Sequence, residues 1–184
     1  MTRASAIPSI TIVAAMSENR AIGRNGDIPW RVNGDFKFWQ DISRNKPVIM
    51  GRKTYVGMPP SFKRRDKIIV VTRDTEFSAN GVDVVHSIED AVKRARKIAA
   101  DHTCHDIVIG GGAEIYRQAF DHADHMYLSE IHTTVQDGDA FFPEFDESAW
   151  TTVLDETYDQ KPGDTCGFTL RHYVRKPADA SASG

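Results

Sequence analysis

The chain has 184 residues, 40% of them hydrophobic and 27% charged, with a formal net charge of −3. That is the size and composition of one globular domain with a sizeable core, and a slightly acidic chain lacks the basic surface that nucleic-acid phosphates require. The apolar run 10–16 is interrupted by Thr11 and ended by Ser17, Glu18 and Asn19. It is too short to span a bilayer and lacks the basic start and long apolar middle of a cleavable leader.

Apolar runs bounded by turn residues predict strands at 10–15, 47–50, 67–72, 82–85, 106–109 and 126–131. A helix is expected from Gly34 to about Arg44. The clearest helix lies between Val85 and Asp106. Ser87 and Asp90 form a capping box; Ile88, Ala91, Val92, Ala95, Ile98 and Ala99 recur on one face, while Lys93, Arg94, Arg96 and Lys97 face water. A third helix runs from Ala113 to Phe120. Segments 152–157 and 168–175, with Lys161-Pro162-Gly163-Asp164 as the turn, read as an antiparallel hairpin at one edge. The fold class is α/β: a single domain with a mixed, mainly parallel sheet flanked by helices and closed by a C-terminal antiparallel hairpin. The domain is expected to cover residues 1–176, with 177–184, small and polar from Ala178 on, as a disordered tail. Cys104 and Cys166 stand far apart with no metal-like spacing, so free thiols in a reducing cytoplasm are expected.

Four elements carry chemistry. Residues 22–30 make a long irregular loop after the first strand, where open α/β sheets place ligands. Its large apolar Ile28 and Trp30 suit a loop that covers a ligand and excludes water; Trp30 as core beneath the loop explains the residue equally well. Next, Asp35 begins a helix with Phe38 and Trp39 three and four residues on, on one shared face. An acid beside two rings suits a flat, nitrogen-rich heterocycle, which accepts a ring sandwich and donates two parallel N–H bonds. Taken alone, Asp35 would merely complement the helix dipole.

The third element is Gly51-Arg52-Lys53-Thr54, where a strand turns into a helix start bearing cations. Such charge opposes the helix dipole unless an anion docks there. Thr72-Arg73 repeats the pattern at another strand end, and two neighbouring strands would grip one phosphate from both sides. The fourth is Gly110-Gly111-Gly112-Ala113-Glu114-Ile115-Tyr116, again strand, glycines and helix. It is not the dinucleotide fingerprint, since Ile115 stands where the third glycine belongs, but consecutive glycines still admit a ligand close to the backbone. The pairs His102/His105 and His122/His125 lack a partnering carboxylate, so surface histidines and no metal are expected. The run 63–67, Lys-Arg-Arg-Asp-Lys, reads by itself as a solvated turn.

In this order and spacing the elements resemble the dihydrofolate reductase family. The resemblance rests on Ile22-Gly23, Ile28-Pro29-Trp30 and Asp35, on the strings 46–52 and 111–116, and on Asp139 before Phe141-Phe142-Pro143. It runs from about Ile10 to Arg175. It implies reduction of 7,8-dihydrofolate to tetrahydrofolate by hydride transfer from NADPH, in a cytoplasmic monomer of one-carbon metabolism with no nucleic-acid or membrane partner.

The resemblance further implies roles. Asp35 would bind the pterin and promote protonation of its imine, with Ile28 and Trp30 in the mobile loop over it. Ala15, Phe38, Trp39, Met58 and Phe62 would contact substrate, Ser129 would reach the pterin through water, and Arg65 would pair with the tail's α-carboxylate. On the cofactor side, Arg52, Thr72 and Arg73 would hold the 2′-phosphate, with Lys53 nearby and Gly51 and Thr54 beside them. Ala15, Ile22 and Gly23 would lie at the nicotinamide. Gly111 and Gly112 would form a cis peptide, continued by Ala113, Glu114 and Ile115, and Tyr116 would edge the ring.

Three positions depart from the family's pattern: Trp39 for phenylalanine, Gly110 for a branched aliphatic residue, and Asn33-Gly34 where proline is common. Trp39 would then form a pocket wall for which Gly110 makes room. Competing readings are a riboflavin-pathway reductase of the same fold and a non-catalytic NADP-binding module; Asp35 with Ile28-Pro29-Trp30 argues against both.

Overall fold

A computed structural model describes residues 7–177; the expected tail, from residue 178 on, lies outside the described residues. In chain order the strands are β1 (Ser9–Ser17), β2 (Ala21–Gly23), β3 (Val48–Gly51), β4 (Ile68–Val71), β5 (Asp83–Val85), β6 (Asp106–Ile109), β7 (His125–Ile131), β8 (Ala140–Phe141), β9 (Trp150–Tyr158) and β10 (Phe168–Arg175). The helices are α1 (Asn33–Ile42), α2 (Arg52–Gly57), α3 (Pro60–Lys63), α4 (Ile88–Asp101) and α5 (Ala113–Ala119).

Side chains alternate across a strand, and here both faces are apolar, so each strand feeds two layers. Ile10, Ile12 and Ala14 of β1, Ile49 of β3, Ile69 of β4 and Ile107 and Ile109 of β6 pack against α4 and α5. Their neighbours Val13, Val48, Met50, Val70 and Val108 pack on the opposite face, with Phe38 and Trp39 of α1, Tyr55 of α2 and Phe62 of α3. Eight strands form one sheet in the order β5-β4-β3-β6-β1-β7-β10-β9. All pairs through β7 are parallel; β10 runs antiparallel to β7, and β9 to β10. The hairpin thus closes one edge, with its later strand inside. β2 and β8 pair as a separate small ribbon.

The buried face of α4 consists of the six apolar residues read from its period. Two details differ from the sequence reading. Ser87 accepts the Asp90 N–H at 3.1 Å, but the Asp90 carboxylate takes the Ser87 hydroxyl at 2.8 Å instead of the backbone N–H of a reciprocal box. Arg94 does not simply face water: it is half-buried and reaches back to Asp83 at 3.0 Å. The elements β2, α3 and β8 went unforeseen because two to four residues carry too little periodicity to register.

Candidate active site

The ends of β1, β3, β4 and β6 open into one cleft of about 1190 Å³, and the four chemistry-bearing segments line it. This is where parallel strands leave room for ligands, beyond their carboxyl ends.

The loop after β1 arches over one side. Arg24 and Asp27 exchange backbone hydrogen bonds of 2.9 and 3.0 Å around Asn25 (φ 52°) and Gly26 (φ 81°). Positive φ at both central residues makes a tight primed turn. The loop is tied down from β8's side: the Asn25 N–H donates to Asp139 Oδ2 at 2.7 Å, and Arg24 pairs with Asp137 at 3.1 Å. Ile28 remains 56% exposed while lining the cleft, a large apolar group left uncovered among the described residues. Trp30 has both roles weighed from sequence, lining the cleft and packing on the cluster of Val32, Ile131, Phe168 and Leu170.

Asp35 stands in the first turn of α1. That turn has no side-chain cap of its own; instead the Asn33 N–H and Nδ2 both donate to Asp164 Oδ1 at 2.8 Å. A carboxylate from the hairpin turn thereby satisfies an orphan donor at the helix start. Desolvation at the closed end of the cleft pushes the Asp35 carboxyl up to about 6, and Ser129 of β7, facing it, pulls the other way.

Phe38 and Trp39 part company. Successive helix positions are 100° apart, so i+3 and i+4 straddle the line of Asp35. Trp39 lines the cleft with its indole against Phe62, centroids 5.2 Å apart. Phe38 falls on the other side, 5.4 Å from the Tyr127 ring and beside a smaller cavity with Phe168. Phe38, expected to share one face with Asp35 and Trp39, does not line the cleft. Phe36, which the sequence reading passed over, lines the cleft and is 45% exposed; its signal was an aromatic group directly after the acid.

At the far end, β3 and β4 are parallel neighbours with Gly51 opposite Val71, so the two basic strand ends lie side by side. Arg52 pairs with Asp74 at 3.5 Å, Arg73 is in no ion pair among the described residues, and Lys53 and Thr54 line the same wall. Thr72 is buried, and its hydroxyl accepts the Asp74 N–H at 3.1 Å. His86, absent from the sequence reading, joins this end with Nδ1 2.7 Å from the Thr72 carbonyl oxygen.

Between the two ends, Gly111–Gly112 is a cis peptide, and the Gly51 N–H donates to the Gly111 oxygen at 2.7 Å. Gly112, Ala113, Glu114, Ile115 and Tyr116 line the cleft together with Ala15, Ile22, Gly23 and Met58. The buried Tyr116 hydroxyl donates to the Val13 oxygen at 2.9 Å. Gly111 has φ +92°, and a Cβ there would lie 2.7 Å from Tyr116 Cζ. Gly111→Ala is therefore expected to lose at least about 2 kcal/mol in urea unfolding, from left-handed strain plus overlap with a buried ring held by its hydrogen bond to Val13. A midpoint within error of wild type would show that the turn yields freely.

Four other residues singled out from sequence do not line the cleft. Gly111 presents only backbone behind Tyr116. Phe62 and Ser129 are buried behind Trp39 and Asp35. Arg65 sits past α1, donating to Ser43 Oγ at 2.8 Å with its guanidinium 4.9 Å over the Phe62 ring. Both cysteines are free, and no cluster of three metal-binding side chains occurs among the described residues.

Comparison with known proteins bears on this geometry. Residues 9–175 match a family model described as dihydrofolate reductase. A dihydrofolate reductase of Neisseria gonorrhoeae is 36% identical over 167 residues, covering 91% of this chain and 98% of the relative. One from Bacillus subtilis is 36% identical over 155 residues, covering 83% and 87%. Among solved structures, a dihydrofolate reductase from Enterococcus faecalis complexed with NADP(H) and RAB-propyl superposes with a TM-score of 0.79 at 28% identity, covering 92% of this chain and 97% of that one.

Proposed function

The chain belongs to the dihydrofolate reductase family, and we propose that the cleft described above is where it reduces dihydrofolate with NADPH. The observation that carries the assignment is a raised carboxyl, Asp35, in the same cleft as two adjacent basic strand ends. Acid and anion sites at opposite ends of one continuous groove suit two ligands meeting in the middle.

The residues present fit the cofactor. Arg52, Lys53, Thr72 and Arg73 would hold its 2′-phosphate. Gly51 and Gly112 leave backbone bare where a Cβ would crowd Ile115 at 3.2 Å and the Thr54 hydroxyl at 3.1 Å. NADPH, when bound, supplies the hydride. Asp35, its carboxyl raised to about 6 and so still ionised at neutral pH, accepts N–H bonds from the pterin's amino group and ring nitrogen, and its charge biases protonation of the neighbouring imine. Ala15, Phe36, Trp39 and Met58 wall the substrate, Phe62 and Ser129 support that wall from behind, and Arg65 receives the tail carboxylate. Ile28 and Trp30 close over the reacting rings and exclude water, which strengthens each polar contact inside.

We also propose that the protein acts as a cytoplasmic monomer binding no nucleic acid. The net charge of −3 and the free cysteines fit this, as does an outer strand β9 that exposes Asp155 and Glu156 to solvent, a feature that discourages strand pairing between copies. Among the described residues no helix is long and apolar enough to cross a membrane.

Purified protein should deplete NADPH absorbance on addition of dihydrofolate and leave it constant without. Depletion with a ribosylamino-pyrimidine and none with dihydrofolate would transfer the protein to the riboflavin-pathway reaction. Binding of NADPH with neither substrate consumed would reduce it to a cofactor-binding module.

A further inference from the structure

Trp39 and Gly110 are far apart in sequence and meet in the cleft wall. Along β6 the side chains alternate, and Val108 points to the α1 layer while Ile107 and Ile109 point to α4. Position 110 continues the Val108 direction. A Cβ built there lies 3.4 Å from Trp39 Cζ2, 3.3 Å from Val48 Cγ1 and 3.4 Å from the Met50 methyl. One carbon just fits; the further carbons of a branched side chain would enter the indole, Val48 or Met50. The indole cannot back away, because the Phe62 ring, 4% exposed, is 5.2 Å behind it. Both Trp39 and Gly110 line the cleft, and Trp39 stands one helical turn beyond Asp35.

We propose that Trp39 and Gly110 form a size-compensated pair, the indole occupying the volume that a branched side chain at 110 would take, and that this pair sets the preference of the cleft for substrates carrying an aromatic arm beyond the pterin. The proposal rests on the reading of the cleft as a dihydrofolate site. Its physical basis is that interiors are close-packed, so a large group on one side demands a small one opposite. The wall that results is an aromatic ring where an aliphatic branch would otherwise stand. An aromatic wall packs favourably against an aryl group, stacked or edge to face, and offers little to a ligand that ends at the pterin.

The test is a cycle of wild type, Trp39→Phe, Gly110→Ile and the double variant. Each is assayed with dihydrofolate and with 6-methyl-7,8-dihydropterin, which lacks the aryl arm, and each is unfolded in urea. Gly110→Ile alone should raise KM for dihydrofolate by about tenfold, because it drives the indole into the cleft. Trp39→Phe alone should lower the preference for dihydrofolate over the dihydropterin, as a ratio of kcat/KM, by about fivefold. In the double variant, the KM and the unfolding midpoint should both return most of the way toward wild type. Single effects that simply multiply in the double variant would overturn the pair. A preference ratio that does not move in Trp39→Phe would overturn its role in specificity. If Gly110→Ile does not fold, recovery of folding in the double variant supports the pair, and failure of both overturns it. Should wild type reduce neither substrate, the dihydrofolate reading and the preference built on it fall together, while the unfolding cycle still decides the packing.

Discussion

Asp35→Asn should lower kcat/KM for dihydrofolate at pH 7 by about a hundredfold or more while making the ligand-free protein more stable. The catalytic half follows from charge. Asparagine keeps the shape but offers one acceptor in place of a carboxylate pair, and charge-assisted hydrogen bonds are worth about 1.5–3 kcal/mol each. The deficit should narrow in acid, where the substrate arrives already protonated. The stability half follows from burial, which lifts the Asp35 carboxyl from 3.8 to about 6. A carboxyl raised in the folded state contributes stability below about pH 4 and loses it as pH rises through 6. Above that the fold holds an ionised group short of solvent, at a cost of up to about 3 kcal/mol. Urea unfolding should therefore favour Asp35→Asn at pH 8, and the two curves should merge near pH 4. A variant with wild-type turnover at pH 7, or one less stable than wild type at pH 8, would remove Asp35 from the role assigned to it.

Arg73→Ala should weaken NADPH binding by ten- to a hundredfold and leave NADH within about twofold, since the two cofactors differ only in the phosphate that the guanidinium would meet. Arg52→Ala should cost at least as much. Arg52 is paired with Asp74, and removing it leaves that carboxylate facing the phosphate without its cation. The same logic predicts that Asp74→Asn tightens NADPH. The effects should shrink at high ionic strength, because both side chains are substantially exposed. Titration of each variant with both cofactors decides the matter: equal weakening of NADH would mean that these residues shape the pocket and do not read the phosphate.

Much of this was legible in the chain because the signals are local. The basic residues after β3 announce themselves by opposing a helix dipole and Thr72-Arg73 by repeating a basic strand end, and only their adjacency had to come from the sheet order. The alternation of two apolar faces in β1, β3, β4 and β6 predicts helices on both sides. Phe38 leaves the face it was expected to share with Trp39 because positions three and four residues on diverge by 100° around the axis. His86 and Phe36 could not be read, since their meaning depends on which strand end or ligand lies beside them. Asp164 was read as part of a turn and nothing more: its partner Asn33 is 131 positions away, and no local pattern spans that distance.

That last contact predicts an order in which the site completes itself during synthesis. The helix carrying Asp35 emerges from the ribosome early, but its first turn is fastened by a residue of the β9–β10 connection. β7 likewise has its second partner only once β10 is made. Contacts of such sequence separation close late, and domains build outward from what has already been translated. A nascent chain stalled after β7 would carry the parallel half of the sheet and the basic strand ends, but its pterin end would lack the hairpin turn that steadies it. Cofactor affinity should arise on the ribosome before substrate affinity does, and the ability to turn over dihydrofolate last.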